Sequence, residues 1–349
     1  MRLYFPKSHY HPERRSVFPL LRPFIKGEGF TDAERIALYG VSDRDFEFTE
    51  HLEDADLGIL IMAWNFYVKT GQTELAINFI KECHALGLKV LAINGGDFGV
   101  KMPYFENLIC LRFGGYKSKF SKNEFVLPPF IKDPLMTHFD RKTIGAQPHL
   151  AKAIIGFCGQ ANASYLNSGK EIASTALRNL KFYMGLAPNE PQQILSTSLL
   201  RASVLGNIQK SINVTSNFIL RKKYRAGIKE NKDNHSTTKE FYDNLANSNY
   251  IVCIRGAGNF SIRFYETLAM GRIPVLINTD CVLPFDEVID WKKHVVWVEY
   301  KERHQVAQKV SDFHSSLTER DFIDLQYSNR KLWEKRLTLS GFFKVLLED

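Results

Sequence analysis

The sequence predicts an α/β protein of two domains, each a parallel sheet covered by helices. Three observations carry this. Apolar runs of strand length alternate with helical stretches at residues 56–63, 73–86 and 89–93, and again at 250–254, 263–270 and 275–277. Strand, helix, strand with short connections argues parallel pairing with right-handed crossovers. The 349 residues suffice for two units that each bury a core. Between the two sets lies a proline-bearing stretch, residues 128–148, that reads as a linker.

In chain order, residues 1–5 begin as a strand and residues 7–15 form a polar, basic loop. Its His9, His11, Arg14 and Arg15 could face a ligand, although loop histidines are more often solvated. Thr31 caps a helix over residues 31–38. Residues 56–63 are a buried strand, and a helix over 73–86, ended by Gly87, sets Leu75, Phe79 and Leu86 on one side. The strand 89–93 exits into Asn94-Gly-Gly-Asp-Phe-Gly, where Asp97 could take a proton from a hydroxyl. Turn formation is the plainer reading of an Asp beside glycine. Glu106, Asp54 and Asp56 are weaker rivals for the same task. Residues 108–113 are a strand, 117–122 a basic loop, and 126–134 the proline-rich end of the first domain, placed at residues 1–148.

The second domain, residues 149–330, opens on a buried strand at 153–158 followed by Gly159. Residues 170–183 form a helix in which Arg178 is either a diphosphate contact or an ordinary surface arginine. Residues 197–218 show no clean period and receive no assignment, while 221–225 and 229–239 read as exposed basic loop. The organising unit is 249–298. Its strand 250–254 runs into Arg255, Gly256, Ala257, Gly258, Asn259, Phe260 and Ser261, then a helix over 263–270 capped by Ser261. Glycines let backbone approach a ligand, and a helix N-terminus offers free N–H groups to an anion. With Arg255 and Arg263 flanking, the loop reads as a phosphate site. A carboxylate accepts only, so Glu266 could take both hydroxyls of a ribose; the alternative is a solvated helix residue. Helices at 303–313 and 321–337 and an amphipathic tail complete the chain, their Met, Phe and Trp residues reading as core.

Composition sets bounds. With 44% hydrophobic and 24% charged residues this is a folded chain, and the net charge of +8 favours nucleotide-sugars, nucleic acid or an anionic membrane surface. The basic stretch lacks the interleaved aromatics of a single-strand platform, which argues against nucleic acid. The five cysteines are scattered and read as buried free thiols of a reducing compartment. No Cys/His cluster has ligand spacing, and the expectation is that no metal or cofactor is required. No run approaches a membrane span and the N-terminus lacks a signal-peptide plan; the expectation is cytoplasmic, with peripheral contact to an anionic membrane left open.

Arg255-Gly-x-Gly-Asn-x-Ser-x-Arg-Phe-Tyr-Glu, then Gly271-Arg-Ile-Pro-Val, Leu283-Pro-Phe and Asp290-Trp, resemble the donor-binding half of the exostosin glycosyltransferases over residues 242–298. Weaker similarity reaches back to Ile154-Ile-Gly-Phe-Cys-Gly. The resemblance implies a GT-B fold, two Rossmann-like domains facing a central cleft, with residues 331–349 as a helix packing back on the first domain. It implies an inverting transfer from a nucleotide-sugar, usually a UDP-sugar, to a glycan acceptor hydroxyl. Gly159 matches the position where a strand opens toward the donor phosphates, and Asp280 one close to the donor sugar, with capping as its alternative. Arg255, Arg263 and the helix N-terminus would then stabilise the leaving diphosphate, and Asp97 would serve as base. Eukaryotic members are usually membrane-anchored, so this chain departs toward a bacterial or viral type. The rival reading is a catalytically inactive nucleotide-sugar-binding or scaffold protein.

Overall fold

A computed structural model describes residues 1–25, 30–161, 163–221 and 234–348. Apolar runs become short strands: β1 (Arg2–Tyr4), β2 (Glu47–Phe48), β3 (Leu57–Ile59), β4 (Lys89–Asn94), β5 (Leu108–Arg112) and β6 (Glu124–Val126), then β7 (Ile154–Gln160), β8 (Thr215–Arg221), β9 (Tyr250–Cys253), β10 (Ile273–Asn278) and β11 (Val296–Glu299). The first six form one sheet in the order β2-β1-β3-β4-β5-β6, the last five another in the order β11-β10-β9-β7-β8. Every pairing is parallel. In both sheets the chain adds one strand on one side of the first and then reverses to the other. That places switch points at β1/β3 and β7/β9, where ligands of such sheets enter beyond the carboxyl ends. The expected fold class, two Rossmann-like α/β domains, is what the chain adopts.

Central strands are buried on both faces, so their residues alternate between two cores. Along β9 and its exit, Tyr250, Val252 and Ile254 join Ile155, Phe157 and the helix Thr197–Gln209. Ile251 and Cys253 point the other way, to Tyr242, Phe264, Tyr265 and Leu268. The helix Leu339–Glu348 puts Leu339, Phe342 and Phe343 into the core of the first sheet, against Phe18 and Phe130. All five cysteines are free and buried.

Several local expectations hold and several need correction. Thr31 and Glu34 form a reciprocal capping box at Asp32–Tyr39. The helix Thr73–Ala85 exists, but its buried side is Ala76, Phe79, Ile80 and Cys83, while Leu75 and Leu86 are exposed. Gly58 of β3 makes room for that side: a Cβ on it would lie 2.8 Å from Cys83 Sγ and 3.1 Å from the Phe79 ring. The unassigned stretch 197–218 holds the helix Thr197–Gln209 and most of β8. Of the basic stretch, Arg221 ends β8, residues 222–233 lie outside the described residues, and residues 234–239 belong to the helix Asn234–Ala246.

The carboxyl edges of the two sheets face one another and touch. Glu190 N–H donates to Gly99 C=O at 3.2 Å and Lys101 N–H to Pro188 C=O at 3.0 Å, with an antiparallel bridge at Val100 and Asn189. Arg112, at the end of β5, donates to Glu124 at 2.7 Å and pairs with Glu190 of the second domain, all three shielded from solvent. Burial pushes the Arg112 guanidinium down, and the two carboxylates, Glu190 foremost, more than reverse that. Phe113 stacks on Phe260 with ring centroids 6.1 Å apart. The basic loop belongs to this joint: Ser118 Oγ donates to Asp280 at 2.6 Å and Lys117 pairs with Asp286 at 2.7 Å.

Candidate functional site

The loop leaving β9 is closed on itself by Gly256 N–H donating to Phe260 C=O at 3.1 Å. Ser261 stands at the N-cap of the helix Ile262–Ala269, yet its hydroxyl makes no cap bond, contrary to expectation. Phe264 N–H turns back on the Ser261 carbonyl at 3.1 Å, and the Ser261 hydroxyl leaves the remaining first-turn N–H groups uncapped. The two glycines differ. A Cβ on Gly256 would meet nothing within 4 Å, so that backbone is open to a ligand. A Cβ on Gly258 would lie 2.3 Å from Asp97 C=O, so that glycine admits the first domain's backbone instead. Asn259 is spent on structure: its Nδ2 donates to Gly115, Thr279 and Asp280 carbonyls at 2.8, 3.0 and 3.0 Å. Asp280 is turned to Ser118, which makes it part of the joint between the sheets.

Arg255 is buried. One nitrogen of its guanidinium donates to Tyr116 Oη at 3.0 Å and the other to Ala257 C=O at 3.1 Å. Beside it a cleft of about 380 Å³ is lined by Phe98 of the first domain and by Lys170, Arg178, Gln193, Arg255 and Ala257 of the second. Arg178 belongs here rather than on the surface; its guanidinium lies 3.9 Å over the Phe98 ring and donates to Thr175 at 3.2 Å. Phe98 thus serves as a platform for the cation. Neither arginine has a carboxylate within ion-pair distance among the described residues. Each also keeps a buried Nε without a partner among the described residues. Glu171, the one acid lining the cleft among the described residues, is occupied by Ser196 Oγ at 2.7 Å and by Ser198 N–H at 3.4 Å. The cleft is cationic and rich in donors, which suits an anion of several oxygens.

A second cluster lies on the opposite face of the sheet at the same β7/β9 exit. Arg263 donates to Cys158 C=O at 2.8 Å and sits 4.3 Å over the Phe157 ring. A Cβ on Gly159 would come within 2.9 Å of that guanidinium. Burial holds the Arg263 pKa down. Glu266 is half-buried, accepts from Tyr242 Oη at 3.2 Å, and has its pKa raised by burial, which Arg263 and Tyr242 partly offset. Glu266 is therefore no ordinary solvated helix residue. The structure brings Arg178, Arg255 and Gly256 together on one side of the switch point, and Gly159, Arg263 and Glu266 on the other.

Of the first-domain candidates, strand polarity sorts them. Asp54, Asp56 and Glu106 precede β3 and β5 and so sit at the amino edge, away from the cleft. Asp97 follows β4 at the carboxyl edge; its carboxylate is exposed and has no hydrogen-bond partner among the described residues, while its carbonyl meets Gly258 and its neighbour Phe98 lines the cleft. His9 shares a hydrogen bond with Tyr67 Oη at 3.2 Å, and burial lowers its pKa. His11 accepts from Glu13 N–H at 3.2 Å, Arg15 is exposed, and the Arg14 side chain is outside the described residues. The sequence reading passed over Tyr116, Gln192 and Gln193. They hold Arg255 across 139, 63 and 62 positions, and no local signal connects residues so far apart. A larger cavity of about 500 Å³, lined by Tyr104, Phe105, Phe120, Phe182 and Lys101, meets the cationic cleft at Gln192. No group of three metal-ligating side chains occurs among the described residues.

The family model described as the Exostosin GT47 domain matches residues 201–312, which include the whole β9-loop-helix unit. Exostosin-1 of Drosophila melanogaster is 32% identical over 105 residues, 30% of this chain and 13% of the fly protein. The Exostosin-1 homolog of Caenorhabditis elegans is 33% identical over 107 residues, 30% of this chain and 27% of that protein. The matched stretch is thus well under two thirds of either relative. Among solved structures, S. aureus TarM in complex with Fondaparinux, alpha-GlcNAc-glycerol and UDP aligns at a TM-score of 0.36 and 11% identity, covering 74% of this chain and 50% of that one, a likeness too slight to argue from.

Proposed function

We propose that this chain, whose residues 201–312 match the Exostosin GT47 domain, is an exostosin-type glycosyltransferase that transfers a sugar from a nucleotide-sugar, in our reading a UDP-sugar, to a glycan hydroxyl with inversion. The observation that carries the proposal is the pairing of Arg178 and Arg255, cations without carboxylate partners among the described residues, in a cleft at the β7/β9 switch point. The diphosphate would lie there against Gly256 and the N-terminus of Ile262–Ala269. Glu266, across the switch point, would take the ribose diol. The larger cavity, with its aromatic walls, would hold the acceptor on the first domain's side. An acceptor hydroxyl attacks the anomeric carbon opposite the diphosphate, whose growing charge the arginines stabilise, so no metal is needed for that task. Asp97, exposed beside the cleft, takes the hydroxyl proton.

Release of UDP from a panel of UDP-sugars, with acceptors drawn from glycan extracts, tests the reading. The parent chain turns over at least one donor. Asp97→Asn is about a hundredfold slower or worse, with UDP affinity unchanged, because a lost general base costs about 10²–10⁴ in rate. Near-normal turnover of Asp97→Asn would pass the role to His9 or His11, which share the carboxyl edge. A parent that binds UDP and turns over no donor would be a nucleotide-sugar-binding protein instead.

A further inference from the structure

The helix Tyr165–Tyr183 is built inside out. Of its nineteen residues only Ser168 is buried. The side turned to the protein is polar, with Glu171, Thr175 and Arg178 lining the cationic cleft. The side turned to solvent is apolar. Leu166, Leu177 and Leu180 stand 81%, 54% and 53% exposed, and the strip continues past the helix end to Met184 at 61%. Positions 166, 173, 177, 180 and 184 follow one another at spacings of seven, four, three and four, a single stripe on a 3.6-residue helix. Isolated exposed leucines need no explanation, but a contiguous strip of this kind marks a surface that something covers.

We propose that this face docks on an anionic lipid surface. The charges around the strip favour that occupant. The exposed charged side chains of the helix are Lys170 and Lys181, both on one border of the strip, while its single acid, Glu171, is turned inward onto Ser196. The chain as a whole carries +8. Tyr165 and Tyr183 stand eighteen residues apart, five turns, so they share one line of the helix, 83% and 73% exposed. Rings with an apolar body and a polar tip suit the boundary between headgroups and hydrocarbon. An amphipathic helix with basic borders lies in that plane by burying its apolar face among the lipids. A second copy fits less well, because a two-fold contact through the same face would give these lysines only one another. With the helix so seated, its far side holds the mouth of the cleft about one helix diameter, roughly 10 Å, from the headgroups.

Sedimentation of the intact chain with vesicles tests this. Phosphatidylcholine vesicles containing about 30% phosphatidylglycerol carry the chain into the pellet, and pure phosphatidylcholine does so at least tenfold less, because the lysines and net charge act only on anionic headgroups. Raising the salt to 0.5 M weakens the binding by screening. Leu177→Glu with Leu180→Glu lowers the bound fraction at least tenfold, without changing the melting temperature or the affinity for UDP. Lys181→Glu weakens binding to anionic vesicles and leaves the weak binding to neutral ones unchanged. The proposal is overturned if the parent ignores anionic vesicles, or if the double variant pellets as well as the parent. A parent that is dimeric in solution and becomes monomeric in the double variant would overturn it too, assigning the face to a second copy.

Discussion

Arg255→Ala lowers kcat by about a hundredfold or more while the donor KM moves only a few-fold, since removing one preorganised donor at a developing negative charge costs about 2.7–4 kcal/mol. Arg255 is suited to this because it is held before substrate arrives. Its guanidinium is fixed by Tyr116 Oη at 3.0 Å and by the Ala257 carbonyl at 3.1 Å, and no carboxylate neutralises it among the described residues. The same hydrogen bond gives Arg255 a structural side, and two controls separate the roles. Tyr116→Phe removes the bond across the joint but keeps the cation, so its kcat stays within about tenfold of the parent, in line with the loss of one neutral partner. Arg255→Lys keeps the charge without the fork and falls between. If Arg255→Ala keeps its melting temperature and turns over normally, the arginine is part of the joint alone.

Arg112→Leu destabilises the chain by about 3–5 kcal/mol, because removing one partner of a buried ion pair leaves the other charge without compensation. Here two are left. Glu124 and Glu190 both lean on Arg112, and the three side chains retain only 9%, 19% and 28% of their exposure. Since Glu190 comes from the second domain and Arg112 from the first, the loss falls on the joint as well as on the first sheet's edge. At about 2–4 °C per kcal/mol the melting temperature drops on the order of 10 °C. Adding Glu124→Gln and Glu190→Gln to the same chain recovers part of the drop, since the orphaned charges are then gone. A melting temperature unchanged in Arg112→Leu would mean that the triad is solvated and contributes little.

Legibility in the sequence is local. Tyr250–Cys253, the turn and Ile262–Ala269 declare themselves because a buried strand, a glycine turn and a helix each leave a pattern within a few residues. Register within an element is less legible. Weight given to large apolar side chains points Leu75 and Leu86 inward, whereas the buried side carries Ala76, Phe79, Ile80 and Cys83, of which Cys83 and Phe79 lie against β3 at Gly58. The helix Thr197–Gln209 goes unread because Ser198, Arg201 and Ser196 break its apolar period; those polar groups are spent on Glu171 and on the Arg255 carbonyl. Gly258 is legible as a close approach but not as an approach of Asp97 from another domain. The partners of Arg255, Arg112 and Asn259 are supplied by tertiary structure, between 12 and 144 residues away, apart from the neighbouring carbonyls of Gly114 and Ala257. Arg178 is the plainest case. Nothing near it in the sequence separates a surface arginine from one stacked on Phe98 over a cleft.

Calorimetric titration of UDP into the parent chain and into Arg178→Ala tests most directly that this cleft is a nucleotide-diphosphate site. The parent takes up one UDP per chain. Arg178→Ala binds it about ten- to a hundredfold more weakly, as the loss of a charge-assisted hydrogen bond of about 1.5–3 kcal/mol requires. A parent that binds no UDP, or an Arg178→Ala chain that binds it as tightly as the parent, would contradict the account.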